Sequence, residues 1–484
     1  MKIRASRQTC FVALGLVVAG NLSAQFGTPE GWTSLETEHF RLYTAAEQNQ
    51  AMETLRFLEG VRSFFAASPL PGADKALTPP VQVVAFRSER DYARYAVREV
   101  GDGYYVRTFS GSYIVLANIV AQDRELATHE YTHFVLDSAG LNLPLWLNEG
   151  LAEFYSTMDA GEAQITVGRP PQRSLKTIQR QPLLPWNVLF TAGTHSPYYA
   201  DADKVFLFYA QSWALVHMLA LDKRYAAQFP EFLSAISNGA GSLEALERTY
   251  RRPMREIEAD LSAYLNQKSL PVLVLAAGQN VSAIQPKTPA AGDFQVQFAL
   301  ADLLAAKAAT CAEGGEKLAV LSKQYPENPE PEEALGEMAL SEQRKPEART
   351  HFGMAIQRHS QNAVLYQQYA VLLQEAGATS AEVKSMLQRA VEIKPDFELA
   401  RLQLGLFEAD DRNFEAALHL LSSIQAVPRE YEYDVYYALA QCSANLSRAA
   451  DALRYASKAK QAARNDSQKN EAENLLAELA TSTF

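Results

Sequence analysis

The chain has 484 residues, 48% hydrophobic and 21% charged, with 24 Gly, 22 Pro and 3 Cys. This composition excludes a disordered, collagenous or small disulfide-stapled protein and supplies enough chain for two or more globular domains. Asp and Glu outnumber Lys and Arg by 56 to 45, a net charge of −11, which argues against nucleic acid as a partner because a binder of that kind carries a basic footprint.

Residues 1–24 read as a signal peptide. Lys2, Arg4 and Arg7 give a basic start, Phe11 to Gly20 an apolar run, and Ala24 a small residue before Gln25. The run is too short to span a bilayer, and Leu22 is an imperfect residue for the cleavage site, so retention as an uncleaved anchor is the alternative. The expectation is an exported chain, periplasmic or secreted or held at the envelope, with no integral membrane segment after signal removal. Cys10, Cys311 and Cys442 form no C-x-x-C pair and no Cys/His cluster, which excludes a thiol-redox site and a structural zinc finger. Cys311 and Cys442 read as packing residues.

From residue 38 strand and helix patterns alternate. Residues 39–45 read as a strand, 47–67 as an amphipathic helix, 81–88 as a buried strand and 88–98 as a capped helix. Tyr104–Phe109 and Ser112–Asn118 are β-rich runs split by Ser110-Gly111, consistent with a hairpin or two neighbouring strands. An α/β part is therefore expected over 25–120 and a mainly helical part over 121–270, together one domain.

Residues 271–292 contain three Pro, two Gly and few charges and read as a linker or a short docking segment. Beyond them small residues recur about every 35 positions: Gly336, Ala348 and Ala355, then Ala370 and Ala390, Gly405 and Ala417, and Ala440, Ala452 and Ala459. A helix pair needs small residues where its helices cross closely. The pattern resembles tetratricopeptide repeats, with units beginning near 329, 363, 398 and 433, a weaker one before them and a terminal capping helix. The expected fold is thus multidomain α/β plus α: the 25–270 domain, a 271–292 linker and an α-solenoid over 293–484.

The strongest local signal is His129-Glu130-Tyr131-Thr132-His133. On a helix, residues four apart share a face, so both imidazoles can reach one metal ion while Glu130 points toward a metal-bound water. Gly140 suits a helix stop and Pro144 opens a second helical stretch, Leu145 to Met158. Two antiparallel helices can bring Glu149 over the two histidines as a third ligand, with Glu153 one turn further on to fix a histidine tautomer.

His129–His133 followed by Trp146-Leu147-Asn148-Glu149-Gly150-Leu151-Ala152-Glu153 resembles the gluzincin metallopeptidases, the clan of thermolysin and the alanyl-aminopeptidase-like enzymes. The likeness is nearest to bacterial peptidase-MA-like domains, which carry tetratricopeptide repeats. It implies a Zn2+ site with His129, His133 and Glu149 as ligands, Glu130 as general base and Glu153 behind His129. Fifteen residues separate His133 from Glu149 and nineteen separate it from Glu153. The longer gap fits the best-known members, whereas the Asn-Glu-Gly context favours Glu149.

The exopeptidase element Gly-x-Met-x-Asn has no counterpart at Gly111-Ser112-Tyr113-Ile114-Val115. Endopeptidase action is therefore expected, with Ser112, Tyr113 and Ile114 on an edge strand to which a peptide substrate adds, or else in an ordinary buried strand. Tyr209 matches the oxyanion-binding tyrosine of the aminopeptidase-like branch, with Tyr199 and His195 as alternatives; core packing is the other reading of Tyr209. His217, on an apolar helix, reads as a core histidine.

The functional expectation is an exported zinc endopeptidase whose repeats recruit a protein partner or substrate. The competing one is a non-catalytic repeat module with a structural or vestigial zinc site, or a peptidase confined to itself or one partner.

Overall fold

The computed structural model describes residues 3–4, 31–68, 70, 80–97, 102–108, 110–119, 124–161, 163–201, 204–276, 281–288, 294–424 and 426–481. The chain divides into two compact units, Met1–Leu321 and Ser322–Phe484. The expected signal peptide lies outside the described residues except for Ile3–Arg4.

The first unit is built on a sheet of β1 (Ile3–Arg4), β2 (Thr33–Glu36), β3 (Phe40–Thr44), β4 (Val81–Ala85), β5 (Gly103–Arg107) and β6 (Ser112–Leu116), in the order β1-β5-β6-β4-β3-β2. β3, β4 and β6 run parallel, while β2 on β3 and β5 on β6 are antiparallel. The strands alternate as a two-sided sheet must. Val83, Ile114 and Leu116 join one core with α1 (Gln48–Ala67) and α3 (Arg124–Ser138). Val84, Tyr104, Val106, Tyr113 and Val115 form a second core on the opposite face.

The capped helix expected over 88–98 is confined to α2 (Glu89–Tyr92). Ser88 caps it, accepting from the Asp91 N–H at 3.3 Å. Tyr92 and Tyr95 then turn into an aromatic cluster with Phe86, so tertiary packing overrides the helical pattern.

After β6 the unit is mainly helical. α3 ends at Gly140, whose φ of +69° allows the Leu141 N–H to close on the Leu136 carbonyl. α4 (Leu145–Ser156) then starts behind Pro144. A short sheet of β7 (Asp159–Ala160), β8 (Gln164–Val167) and β9 (Leu273–Ala276) follows. Next come α5 (Gln172–Arg180), α6 (Trp186–Thr191), α7 (Pro197–Ala200), α8 (Val205–Leu221), α9 (Phe229–Ser237), α10 (Ser242–Tyr250) and α11 (Met254–Leu265). α8 is buried along most of its length and packs closely on α4. A Cβ at Gly150 would meet the Ser212 carbonyl oxygen and Val216 Cγ2 at 2.7 Å, so only glycine permits this approach.

His217, on α8, is a structural residue as expected. Its Nε2 lies 2.7 Å from the Gly168 carbonyl and its Nδ1 2.8 Å from the Tyr264 hydroxyl, tying α8 to the β8 loop and α11.

The stretch expected as a linker docks on the first unit: β9 pairs with β8, and Lys287 pairs with Glu36. The unit also continues past residue 293. α12 (Phe294–Ala305) lays Val296, Ala299, Leu300 and Leu303 on the second face of the large sheet, and the unit ends at Leu321, within α13 (Cys311–Gln324). The solenoid boundary thus falls later than its periodicity suggests, because an apolar sheet face requires a cover and α12 provides it. Cys442 is free and buried, and Cys311 is buried at the start of α13.

The second unit is an array of tetratricopeptide-like helix hairpins. α14 (Glu330–Ser341) pairs with α15 (Lys345–Gln357), α16 (Ala363–Glu375) with α17 (Ser380–Ile393), α18 (Glu398–Asp410) with α19 (Phe414–Ser422), and α20 (Glu432–Asn445) with α21 (Ala449–Ala462). α22 (Asp466–Thr481) caps the array against α21. The recurring small residues sit buried at the crossings: a Cβ at Gly336 would overlap the Phe352 ring, and one at Gly405 would meet Leu421 at 2.7 Å.

Candidate metal centre

α3 and α4 lie side by side, and each contributes residues one turn apart to the seam. His129 and His133 come from α3, Glu149 and Glu153 from α4. The Nε2 atoms of His129 and His133 are 3.1 Å apart. Glu149 Oε2 lies 3.4 Å from the first and 3.6 Å from the second. A tetrahedral ion bound at about 2.0–2.2 Å spaces its ligand atoms about 3.3–3.6 Å apart, so the triangle has the dimensions of one face of such a site. The three residues suit a divalent cation in chemistry as well as spacing.

The surroundings orient the donors. His133 Nδ1 is 2.6 Å from Asn148 Oδ1, which fixes Nδ1–H as the donor and turns the Nε2 lone pair inward. His129 Nδ1 faces Glu153 Oε1 at 3.6 Å. His133 and Glu149 are fully buried, while the His129 side chain is 12% exposed, leaving one open side.

Electrostatics favour positive charge at the three ligand atoms. Burial pushes the His129 pKa down, but the Glu149 hydrogen bond and the charges of Glu130, Glu153 and Glu149 outweigh it and raise it to about 9. Burial likewise opposes ionisation of Glu149, yet the two histidines hold its carboxyl well below the usual range. Glu153 is raised, chiefly by burial.

Glu130 is buried and its Oε2 accepts the Tyr105 backbone N–H at 2.7 Å. This amide lies on β5, on the side away from β6, so the main chain of β5 holds the carboxylate. The Tyr105 hydroxyl in turn donates to Asp137 Oδ2 at 3.0 Å. Tyr209, partly buried near the start of α8, places its ring 6.3 Å from that of His129. The structure therefore brings together His129, Glu130, His133, Glu149, Glu153 and Tyr209.

It does not bring Ser112, Tyr113 and Ile114 to an open edge. Their strand, β6, is paired on both sides, by β5 and by β4, and has no free main-chain groups for a peptide. Tyr113 points into the core beneath α12 and Ile114 into the other core. The edge-strand expectation is corrected accordingly: the hairpin puts β5 outside β6. His195 is exposed on the loop before α7, and the Tyr199 side chain lies outside the described residues. Asn148 and the Tyr105 amide escaped the sequence reading. Asn148 had a signal, since it adjoins Glu149, whereas a backbone donor on a distant strand leaves none.

No protein-family model matches the chain, and no curated protein matches it. The solved structures similar to it include these three. The first, YrrB, a TPR protein with an unusual peptide-binding site, is 18% identical, covering 37% of this chain and 91% of that one at a TM-score of 0.30. Pseudomonas aeruginosa pilF is 10% identical, covering 52% and 98% at 0.29. PilW, a type IV pilus biogenesis factor, is 18% identical, covering 40% and 97% at 0.26. Likenesses this distant say nothing about chemistry at the α3–α4 seam.

Proposed function

We propose that the protein is a zinc-dependent metallopeptidase of endopeptidase type, as its resemblance to the gluzincins implies. The single observation that carries this reading is the His129–His133–Glu149 triangle with Glu130 fixed beside it. Zinc, when bound, supplies Lewis acidity toward a carbonyl oxygen and toward water. Glu130, the next residue after His129, takes the proton of an attacking water and passes it to the leaving amine. Tyr209 donates its hydroxyl hydrogen to the developing oxyanion. Asn148 and Glu153 hold the two imidazoles in the tautomers that ligation needs. The signal-like residues 1–24 support export to the periplasm or beyond, and the helix hairpins of the second unit support a protein partner there.

A second reading has its own support. The repeat unit alone accounts for a protein-binding module, with the metal cluster serving structure. A base held at hydrogen-bond distance by a sheet amide favours catalysis, because a structural site has no use for it.

The test is metal analysis and proteolysis on the same chain, purified without chelator. One zinc per chain, with cleavage of a denatured protein that disappears in Glu130→Gln while zinc stays, is the expected result. Zinc without cleavage would select the binding module, and no zinc would remove both the ligand assignment and the mechanism.

A further inference from the structure

Helix α5 sets Arg173, Lys176 and Arg180 at i, i+3 and i+7, which is one helical face. All three are exposed, while Ser174 is buried and Leu175 and Ile178 pack into the core behind them. Arg169, just ahead of the helix, is bound to Asp159 at 3.1 Å. Among the described residues no such salt bridge neutralises Arg173, Lys176 or Arg180. In a chain of net charge −11, a basic face left uncancelled is unusual.

The face also has a definite position. The Arg173 guanidinium carbon lies 3.2 Å from the centre of the Phe206 ring. Phe206 stands one turn before Tyr209 on α8, and Tyr209 packs near His129. Arg173 lies within electrostatic reach of Glu153 and Asp102. The basic stripe thus begins at the rim of the metal-binding cluster and leads away from it along α5. Stacking on an aromatic ring fixes the guanidinium plane in advance, so little side-chain freedom is lost when it meets a carboxylate.

We propose that this face docks an acidic polypeptide segment and guides it to the cluster, so that the protein selects chains carrying Asp or Glu runs beside the segment that enters. Charge complementarity names the occupant: the rest of this acidic chain repels such a segment, and α5 offers it three cations in a row. The position of the docking face relative to chemistry rests on the peptidase reading above.

The test uses full-length, zinc-loaded Glu130→Gln protein and a fluorescein-labelled peptide of alternating Glu and Ala. The control is the same peptide with Gln for Glu, and binding is followed by anisotropy at low and high salt. The Glu peptide is expected to bind about tenfold tighter than the Gln peptide. Salt should weaken that preference. It should vanish in Arg173→Glu/Lys176→Glu/Arg180→Glu and shrink in the milder Lys176→Gln/Arg180→Gln, which keeps the stacked arginine.

Equal binding of the two peptides, or a preference that survives both variants, overturns the proposal. Incubating the wild type with the same peptides separates the two ideas. Preferential binding without any cleavage sinks the peptidase reading alone, and cleavage of both peptides without preferential binding sinks the docking face alone.

Discussion

Asn148 Oδ1 sits 2.6 Å from His133 Nδ1, one residue ahead of the carboxylate that faces the same imidazole from its other side. Consecutive residues of α4 thus meet the His133 imidazole at both of its nitrogens, and in the zinc reading proposed above they orient one ligand and supply another. Replacing Asn148 by Ala leaves a buried Nδ1–H without its acceptor and frees the ring to turn. Zinc affinity should fall about 10–100-fold with little change in helix content. Competition with a chromophoric chelator measures it, and an unchanged affinity would mean that Asn148 only packs.

Glu149 and Glu153 share a face of α4, so their roles are separable by substitution. Glu149→Ala should abolish stoichiometric zinc, whereas Glu153→Ala should retain one ion bound more weakly, by about tenfold or more. Metal-to-protein ratios after dialysis decide between them. The reverse pattern would transfer the ligand role to Glu153.

Gly150→Ala introduces a Cβ that the backbone of Ser212 and the side chain of Val216 already exclude. α4 and α8 must move apart, at a cost of about 1–3 kcal/mol. Because Glu149 is the preceding residue, zinc affinity should fall together with Tm. Tm unchanged in calorimetry would show that the contact relaxes freely.

Burial drives the pKa of His217 down to about 4, partly offset by its bond to the Gly168 carbonyl. The unfolded chain, with an ordinary value near 6.5, takes up its proton first as pH falls. This residue therefore costs stability progressively from about pH 6.5 down to about pH 4, on the order of 3 kcal/mol in all. His217→Gln should be less stable than wild type at neutral pH and lose that slope. Urea unfolding across the window tests it, and parallel curves for the two proteins would refute the assignment.

Asp302 behaves in the opposite sense. Burial raises its pKa to about 6, against the hydrogen bond from the Thr108 hydroxyl, 2.8 Å from its Oδ2, that pulls it down. The unfolded chain releases this proton near pH 4 and the folded one near pH 6, so stability is lost as pH rises through that interval. Asp302→Asn should be isoenergetic with wild type below the interval and more stable above it, by about 2–3 kcal/mol. Thermal melts at pH 4 and pH 8 suffice, and a variant less stable at pH 8 would contradict the sign.

The parts legible in sequence were those with local spacing. His129 and His133 four apart, Gly140 as a stop, Pro144 as a start and the small residues of the repeats all report short-range geometry, and the structure places them as expected. The β6 error has a different origin. A hairpin pattern tells which runs pair but not which run lies outside, and Tyr113, alternating properly, is apolar toward whichever layer covers it. The place of α12 was hidden for a related reason: Phe294 to Leu304 is apolar nearly all round, which suits a sheet cover as well as the first helix of a solenoid. Arg173 carried no motif, and only its stacking on Phe206 draws notice to it.

The tether between Glu130 and the Tyr105 amide makes the setting of the carboxylate a matter of strand counting. Adding one residue to the Ser110-Gly111 connection, or deleting one, would slide β5 along β6, turn its side chains to the opposite faces of the sheet and bring Tyr104 or Val106 to the place from which Tyr105 now meets Glu130 and Asp137. Such a frame change touches neither the imidazoles nor Glu149. It would exchange the residues that meet Glu130 and Asp137, so a turn remote in sequence from His129 acts as a length gauge for the setting of that carboxylate.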